Sequence, residues 1–326
     1  MATPVEHIRG QLLNRRDRLE AATTSVGETD HLLRLLRDVD AALEQTRSGT
    51  YGLCEICHGE IEPERLLADP LVRTCLDHLS PTEVRALEQD LDLASRVQRE
   101  LLPARHLKAD GWEIAYHYEP AGLVSGDYCD VLRPAADGEL VFLVGDISGK
   151  GVAASMLMAH LHASFRTLMG LCLPMNEILA RANRVFCDST MSSHYATLVC
   201  GRLDPAGTVE IANAGHCAPL FTAGGEVTSI EATGLPVGMF CTTQYPVRTL
   251  RLDAGDTLLL YTDGLTEARN PADEEFGVER LHVLVAERYT LSPQQLLGAC
   301  LDSLASFRGD AQRLDDLTVM AIRRTE

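Results

Sequence analysis

The sequence predicts an α+β chain: antiparallel sheets covered by helices, preceded by a helical part that carries a small metal-stapled segment. Three observations lead there. Residues 1–103 read as helices around a turn-rich stretch containing cysteine and histidine. From Ala104 onward the texture changes to short β-type runs separated by turns. The helical stretches of that second part come in pairs and do not alternate singly with strands, which argues against βαβ units and a parallel sheet.

Taken in order, residues 4–22 carry Val5, Ile8, Leu12 and Leu19 at helical spacing, and residues 29–47 carry Leu32, Leu35, Leu36, Val39 and Leu43. "TTSVGETD" between them reads as the turn of a hairpin, so 1–47 is a helical hairpin. Residues 48–80 are short, rich in turn formers and too poor in large apolar residues to bury a core alone, so a bound metal is the natural way to order them. A linker helix follows over 82–102, stopped by Pro103, within a linker region 81–103. Its Val84, Leu87, Leu91, Ala94, Gln98 and Leu101 recur in steps of three and four. That pattern is either a coiled-coil seam with one polar position or the face of a helix packed on its own domain. Residues 104–326 form the last domain. Its expected strands are "WEIAYHYE", "ELVFLVGD", "HYATLVCGRLD", "TVEIANAG", "APLFTAG", "EVTSIE", "DTLLLYTD" and "LTVMAIRR", with helices over 152–169, 176–189, 279–288 and 293–307.

The chain has 326 residues, 45% of them hydrophobic, so a sizeable core is expected. Its net charge of −18 argues against direct nucleic-acid binding and against anionic membrane surfaces. No apolar run is long enough to span a membrane, and the N-terminus is mixed in charge and unlike a secretory signal. Seven of the ten cysteines are scattered singly through apolar segments, which fits a reducing, cytoplasmic setting better than a disulfide framework.

The other three cysteines join a histidine. Cys54, Cys57, Cys75 and His78 read C-x2-C-x17-C-x2-H, two ligand pairs each on a tight turn, as a tetrahedral Zn²⁺ requires. Thiolate and imidazole donors favour zinc over Mg²⁺ or Ca²⁺. The surrounding "ALEQTRSGTYGLCEICHGEIEPERLLADPLVRTCLDH" resembles the DksA/TraR-type zinc finger through its G-x-Y-G-x-C-x-x-C, I-x-x-x-R-L and P-x-x-x-x-C elements. His78 stands where that family usually has cysteine. The resemblance implies one Zn²⁺. Some members act on RNA polymerase through acidic residues at a coiled-coil tip, and "TTSVGETD" does not match such a tip. A regulatory module is therefore expected, with an RNA-polymerase-binding transcription module as the alternative.

The second part holds a set of carboxylates at strand ends. Asp146 and Asp263 directly follow apolar runs, Asp315 and Asp316 directly precede one, and Asp127 sits on a glycine turn. Their form suggests convergence on one sheet edge, where clustered carboxylates raise one another's pKa unless cations neutralise them. Oxygen ligands select Mg²⁺ or Mn²⁺, and two such ions form a site for phosphate-ester hydrolysis. The turn "VFLVGDISGKGVAAS" has the outline of a nucleotide phosphate loop, but it is one residue short and has Gly151 where the hydroxyl belongs. Gly145 and Gly149 are expected instead to let the backbone turn so that Asp146 faces a metal.

Residues 104–324 resemble the SpoIIE/RsbU-type serine/threonine phosphatases of the PPM superfamily. The matching marks are "LASRVQRELLP", "SGDYCDV", "VGDISGKGVAASMLMA", "ANAGHCAPL", "GLPVGMF", "YTDGLTEARN" with "FGVERL", and "DDLTVMAIRR". The resemblance implies an αββα sandwich with two Mn²⁺ or Mg²⁺. It maps the metal carboxylates onto Asp127, Asp146, Asp263 and Asp315, adds the Ile147 backbone carbonyl, and leaves Asp316 as a supporting or alternative ligand. Ser148 stands where some eukaryotic members carry a histidine proposed as general acid. Lys150 either contacts substrate phosphate or is a solvated lysine. His216 is either a substrate-site residue or a structural histidine.

The resemblance implies a phosphoserine/phosphothreonine protein phosphatase acting on a phosphorylated anti-anti-sigma (STAS-domain) protein, thereby regulating a sigma factor. A homodimer through the linker helix is expected with it. The competing reading is a catalytically weak regulator that only binds a phosphoprotein.

Overall fold

The computed structural model describes residues 8–10, 12–17, 19–20, 30–133, 139–171, 173–190 and 194–326. The expected turn at 23–30 lies almost wholly outside the described residues. The chain divides into two compact units, Met1–Gln89 and Asp90–Glu326.

In the first unit the described residues of 8–20 are helical, and helix α1 spans Asp30–Ser48. Ile8 and Leu12 from the former and Val39, Ala42 and Leu43 from the latter are buried together with Cys54, Ile61, Leu66 and Cys75. The apolar stripes read from the sequence thus meet the metal-like segment in one small core. That segment holds an isolated bridge between Leu53 and Glu60, a short helix α2 (Pro63–Ala68) and a 3₁₀ turn at Leu76–His78.

Helix α3 runs over Pro81–Leu101, and the division between the units falls inside it. Strands β1 (His106–Ala109), β2 (Trp112–Glu119), β3 (Tyr128–Leu132) and β4 (Leu140–Ile147) follow. Helices α4 (Gly151–Met169) and α5 (Met175–Ser189) come next. Then come β5 (Ala196–Leu203), β6 (Thr208–Ala214), β7 (Leu220–Ala223), β8 (Glu226–Ser229), β9 (Arg248–Arg251) and β10 (Thr257–Tyr261). The chain ends with α6 (Asp263–Thr266), α7 (Val278–Glu287), α8 (Pro293–Arg308) and β11 (Leu317–Arg324).

The strands form two antiparallel sheets, ordered β1-β2-β11-β10-β7-β8 and β3-β4-β5-β6-β9. Three apolar layers bind them into an αββα sandwich. Between the sheets lie Trp112, Ile114, Phe142, Ile211, Leu258 and Met320. Leu143, Leu161, Phe165 and Phe186 join the second sheet to α4 and α5. Leu259, Phe276, Leu281 and Val319 join the first sheet to α7 and α8. Central strands are therefore apolar on both faces. In β4, Leu140, Phe142 and Val144 face the other sheet while Val141 and Leu143 face the helices.

Among the described residues of the second unit, three strands and one helix have no counterpart in the sequence reading: β1, β3, β9 and the four-residue α6. Two of the strands are short edges of polar sequence, "HLKA" and "RTLR". The third, β3, carries Asp130, a fully buried carboxylate that accepts two hydrogen bonds from Arg166, at 3.1 and 3.0 Å. A charge inside a strand hides its apolar pattern until the partner is known.

One expectation is corrected. Gly145 does not turn the backbone; it lies within β4, paired with Leu198, and a Cβ there would meet the Thr197 carbonyl oxygen at 2.6 Å. Its need is close strand approach. The turn belongs to Gly149, at φ +98°.

Gly201 in β5 is under the same constraint, because a Cβ would lie 2.3 Å from the Phe142 ring and 2.5 Å from the Glu210 carbonyl oxygen. Gly201→Ala is expected to lower unfolding free energy by about 1–3 kcal/mol through overpacking. Urea titration measures it, and an unchanged midpoint would contradict this packing.

Candidate active site

Strand register brings the carboxylates together. In one sheet Tyr128 pairs with Gly145, so Asp127 before β3 and Asp146 near the end of β4 lie at the same end. In the other, Tyr261 pairs with Val319, so Asp263 after β10 lies beside Asp315 and Asp316 before β11. Two glycines report how close these segments come. A Cβ on Gly126 would sit 3.5 Å from Asp146 Oδ1 and 3.2 Å from the Ile147 carbonyl oxygen. A Cβ on Gly264 would strike the Asp316 carbonyl oxygen at 1.8 Å, so only glycine fits after Asp263.

Asp127 is 1% exposed, and its Oδ2 accepts hydrogen bonds from the Thr262 hydroxyl at 3.0 Å and the Thr318 hydroxyl at 2.5 Å. Its backbone N–H donates to the Ser125 hydroxyl at 3.0 Å. Asp316 faces the same loop: Oδ1 accepts from the Ala121 N–H at 2.7 Å and Oδ2 from the Gly126 N–H at 2.9 Å. Asp316 thus holds the backbone that carries Asp127. Asp315 is paired with Lys150, whose Nζ lies 2.9 Å from Oδ2 and donates to the Leu314 carbonyl at 2.7 Å. Lys150 itself immediately precedes the first turn of α4.

The electrostatics follow from that crowding. Burial raises Asp127 well above the usual carboxylate range, and the charge on Asp146 raises it further against the two threonine hydroxyls. Asp146 is pushed up to about 7, first by burial and then by Asp263, Asp315 and Asp316. Asp263 is raised by burial and by Asp315, with Lys150 opposing. Such a set of hard oxygen donors, short of positive charge, suits Mg²⁺ or Mn²⁺.

His216 is 7% exposed; its Nδ1 lies 2.8 Å from the Thr197 hydroxyl, and its backbone N–H donates to Asn213 Oδ1 at 2.8 Å. Burial drops it to about 4, so it is neutral at pH 7. Thr197 also donates to the Asp146 carbonyl at 3.4 Å, so His216 reaches the end of β4 through Thr197. Ser148 accepts from the Tyr195 N–H at 3.0 Å.

Sequence reading missed Thr262, Thr318, Gly264 and Gln98. Thr262 and Thr318 are buried hydroxyls in the apolar runs "LLLYTD" and "DLTV", and that mismatch is the signal that could have found them. Gln98, 5% exposed, donates to the Ser125 carbonyl at 2.7 Å and accepts from the Ser125 N–H at 3.0 Å. The predicted seam of α3 therefore turns toward the sandwich over its last turns: Gln98 is buried there and Leu101 packs on the core, while Val84 and Leu87 are exposed.

In the first unit Cys54, Cys57, Cys75 and His78 place one donor atom each within 4.8 Å of one another. Cys57 Sγ and Cys75 Sγ are 3.7 Å apart, and Cys75 Sγ is 3.2 Å from His78 Nδ1. Ligands at ~2.3 Å around a tetrahedral ion sit about 3.8 Å apart, so the spacing fits zinc. Backbone N–H groups, chiefly of Cys57, pull Cys54 down to about 6, while burial and its thiol neighbours push Cys75 up to about 11. Three thiols here do not all ionise without a cation beside them.

The shift at Asp146 has a measurable consequence. Its unfolded value is the ordinary 3.8 and its folded value about 7, so the metal-free fold holds the proton more tightly between them. That contribution is present below about pH 4 and lost as pH rises through 7. Asp146→Asn is expected to stabilise the metal-free chain by ~2 kcal/mol at pH 8, after allowing for partial exposure, and by much less at pH 4.5. Chemical denaturation with a chelator at both pH values checks this; equal effects would show that Asp146 is not crowded.

Comparison with known proteins agrees with this architecture. Residues 136–325 match the family model described as Stage II sporulation protein E (SpoIIE), and residues 49–77 match the prokaryotic dksA/traR C4-type zinc finger. Protein IcfG of Synechocystis sp. is 28% identical over 72% of this chain and 41% of its own length. Phosphoserine phosphatase RsbU of Bacillus subtilis is 27% identical over 73% of this chain and 71% of its own. The crystal structure of the RsbU and RsbW domains of Rv1364c from Mycobacterium tuberculosis aligns with a TM-score of 0.58 at 30% identity, covering 69% of this chain and 63% of that one. This chain thus spans less than half of IcfG. With more than half of its length matched, the chain belongs to the SpoIIE family and carries a dksA/traR-type zinc finger ahead of its SpoIIE domain.

Proposed function

We propose that this chain is a metal-dependent phosphoserine/phosphothreonine protein phosphatase. The observation that carries this is the meeting of Asp127, Asp146, Asp263 and Asp315 at one end of the sandwich, Asp127 buried and the others partly so, close enough to repel one another, with the Ile147 carbonyl beside them. Two Mn²⁺ or Mg²⁺ ions held there would supply a water of lowered pKa and neutralise charge on the phosphoryl oxygens. The chain's own part is to keep those carboxylates in place. Thr262 and Thr318 fix Asp127, and Asp316 fixes the loop that bears it. Lys150, at the same site, adds a positive charge that can face a phosphate.

A groove of about 530 Å³ borders this site, lined by Leu123, Val152 and Leu314 together with Lys150, Arg313 and Asp316. Its mixed apolar and charged walls suit the surface of a folded phosphoprotein. By likeness to RsbU, a phosphorylated STAS-type anti-anti-sigma protein is the substrate we propose, and sigma-factor control the consequence. The zinc finger is proposed as the regulatory module, with one Zn²⁺ on Cys54, Cys57, Cys75 and His78. The exposed Val84, Leu87, Leu93 and Val97 of α3 are proposed as the contact of a homodimer.

Phosphate release from candidate phospho-STAS proteins, with and without Mn²⁺, tests the activity. Hydrolysis is expected only with metal, and Asp146→Ala or Asp263→Ala is expected to reduce it a hundredfold or more, as loss of charge stabilisation at a reacting phosphate does. Tight phosphoprotein binding with no turnover under any metal would overturn the enzyme reading.

Metal analysis of the full chain should give about one equivalent of zinc. The Cys54→Ser, Cys57→Ser double variant should carry none. A folded, metal-free wild-type chain would remove zinc from the proposal.

A further inference from the structure

The metal-site loop is held from an unexpected direction. Gln98 lies on α3, outside every segment that supplies a carboxylate, yet the residue is 5% exposed and its amide makes both of its hydrogen bonds to one residue, Ser125. The pattern is that of a strand pair: the amide N–H donates to the Ser125 carbonyl at 2.7 Å, and the amide oxygen accepts the Ser125 N–H at 3.0 Å. Ser125 is fully buried, and its hydroxyl accepts the Asp127 N–H at 3.0 Å. A buried glutamine is costly unless its amide is paired, and an apolar residue at this position would suit a packing face as well. Ser95, three residues earlier on the same face, is also buried, and Leu101 and Leu102 close the contact against the core.

We infer that Gln98 is a positioning residue for the metal site: it clamps Ser125 so that the Asp127 carboxylate is pre-set for a divalent cation. The residues on either side of the clamp leave Asp127 little other freedom. The Gly126 N–H is taken by Asp316, and the Asp127 Oδ2 by Thr262 and Thr318. Releasing Ser125 frees the backbone anchor nearest Asp127 on its N-terminal side that Asp316 does not hold. A ligand that must be ordered as the cation binds gives weaker binding, while a cation once bound meets the same donors. The inference rests on the proposed metal-dependent activity, and it touches affinity for the metal more than the turnover of the loaded enzyme.

The test uses the full chain and Mn²⁺ alone as probe. Gln98→Met keeps length and helix preference and removes both hydrogen bonds; Gln98→Glu keeps the acceptor and loses the donor; Glu100→Ala, at an exposed position of α3, is the control. Isothermal titration calorimetry of Mn²⁺ is expected to show a dissociation constant raised about tenfold or more in Gln98→Met, less in Gln98→Glu, and unchanged in Glu100→Ala. The Mn²⁺ concentration for half-maximal hydrolysis of p-nitrophenyl phosphate should rise in parallel, with kcat at saturating Mn²⁺ within about threefold of wild type and KM unchanged. Should Gln98→Met fail to fold, Ser125→Ala, which leaves the clamp and removes only the hydroxyl on Asp127, must show the same weakened Mn²⁺ binding. Wild-type Mn²⁺ affinity in a folded variant, or a loss confined to kcat, would overturn the inference. A wild-type chain that binds no Mn²⁺ would instead sink the proposed function on which it stands.

Discussion

Repulsion among carboxylates is the constraint around which the SpoIIE domain is organised. Five of them, Asp127, Asp146, Asp263, Asp315 and Asp316, come to one end of the sandwich from four different segments. Each sheet contributes through antiparallel register, since the end of one strand lies beside the start of its neighbour. Only a large and well-packed body can hold such a set against its own charge. The three apolar layers do so, and neutral donors share the remaining load: two threonine hydroxyls, two backbone N–H groups and one amide clamp. Local destabilisation at a functional site is offset by packing elsewhere in the domain.

The first unit meets a related problem at smaller scale. Its cysteine segment has few large apolar residues, and the thiols that form its centre oppose one another's ionisation, Cys54 lying low and Cys75 high. A thiophilic dication such as zinc would resolve that conflict, as the proposed hard dications would resolve the one among carboxylates. The two centres differ in what depends on them. The cysteine cluster joins the small core of its unit directly, through buried Cys54 and Cys75. The carboxylates stand at the rim of a core that forms without them.

Much of the architecture was legible because its signals are local. Central strands such as "ELVFLVGD" and "LTVMAIRR" are apolar on both faces and bounded by turns, so periodicity and length find them. The aspartates were legible for the same reason: a carboxylate at the end of an apolar run stands out. What was not legible depends on partners distant in sequence. Asp130 belongs in β3 only because Arg166 meets it there. Gly145 resembles a turn residue in isolation, and only the approach of Thr197 from β5 shows that it serves strand spacing. Thr262 and Thr318 are 56 residues apart and share one carboxylate of a third segment.

Gln98 shows how an ambiguous pattern is decided. In a sequence, one polar residue in an apolar seam has two readings: a register-setting position between two helices, or a functional contact of a helix with its own domain. Spacing cannot separate them, because both place the residue on the buried face. Hydrogen-bonding capacity can. A glutamine facing a symmetric partner helix has another side-chain amide available to satisfy it, whereas Gln98 satisfies donor and acceptor on a single backbone residue. That pairing needs an extended segment whose N–H and C=O are not taken by a strand, and the residues before β3 supply one. The helix face that bears Gln98 is therefore matched to an open piece of backbone beside Asp127, and the exposed Leu93 and Val97 on the other side of α3 are the residues the proposed homodimer would use.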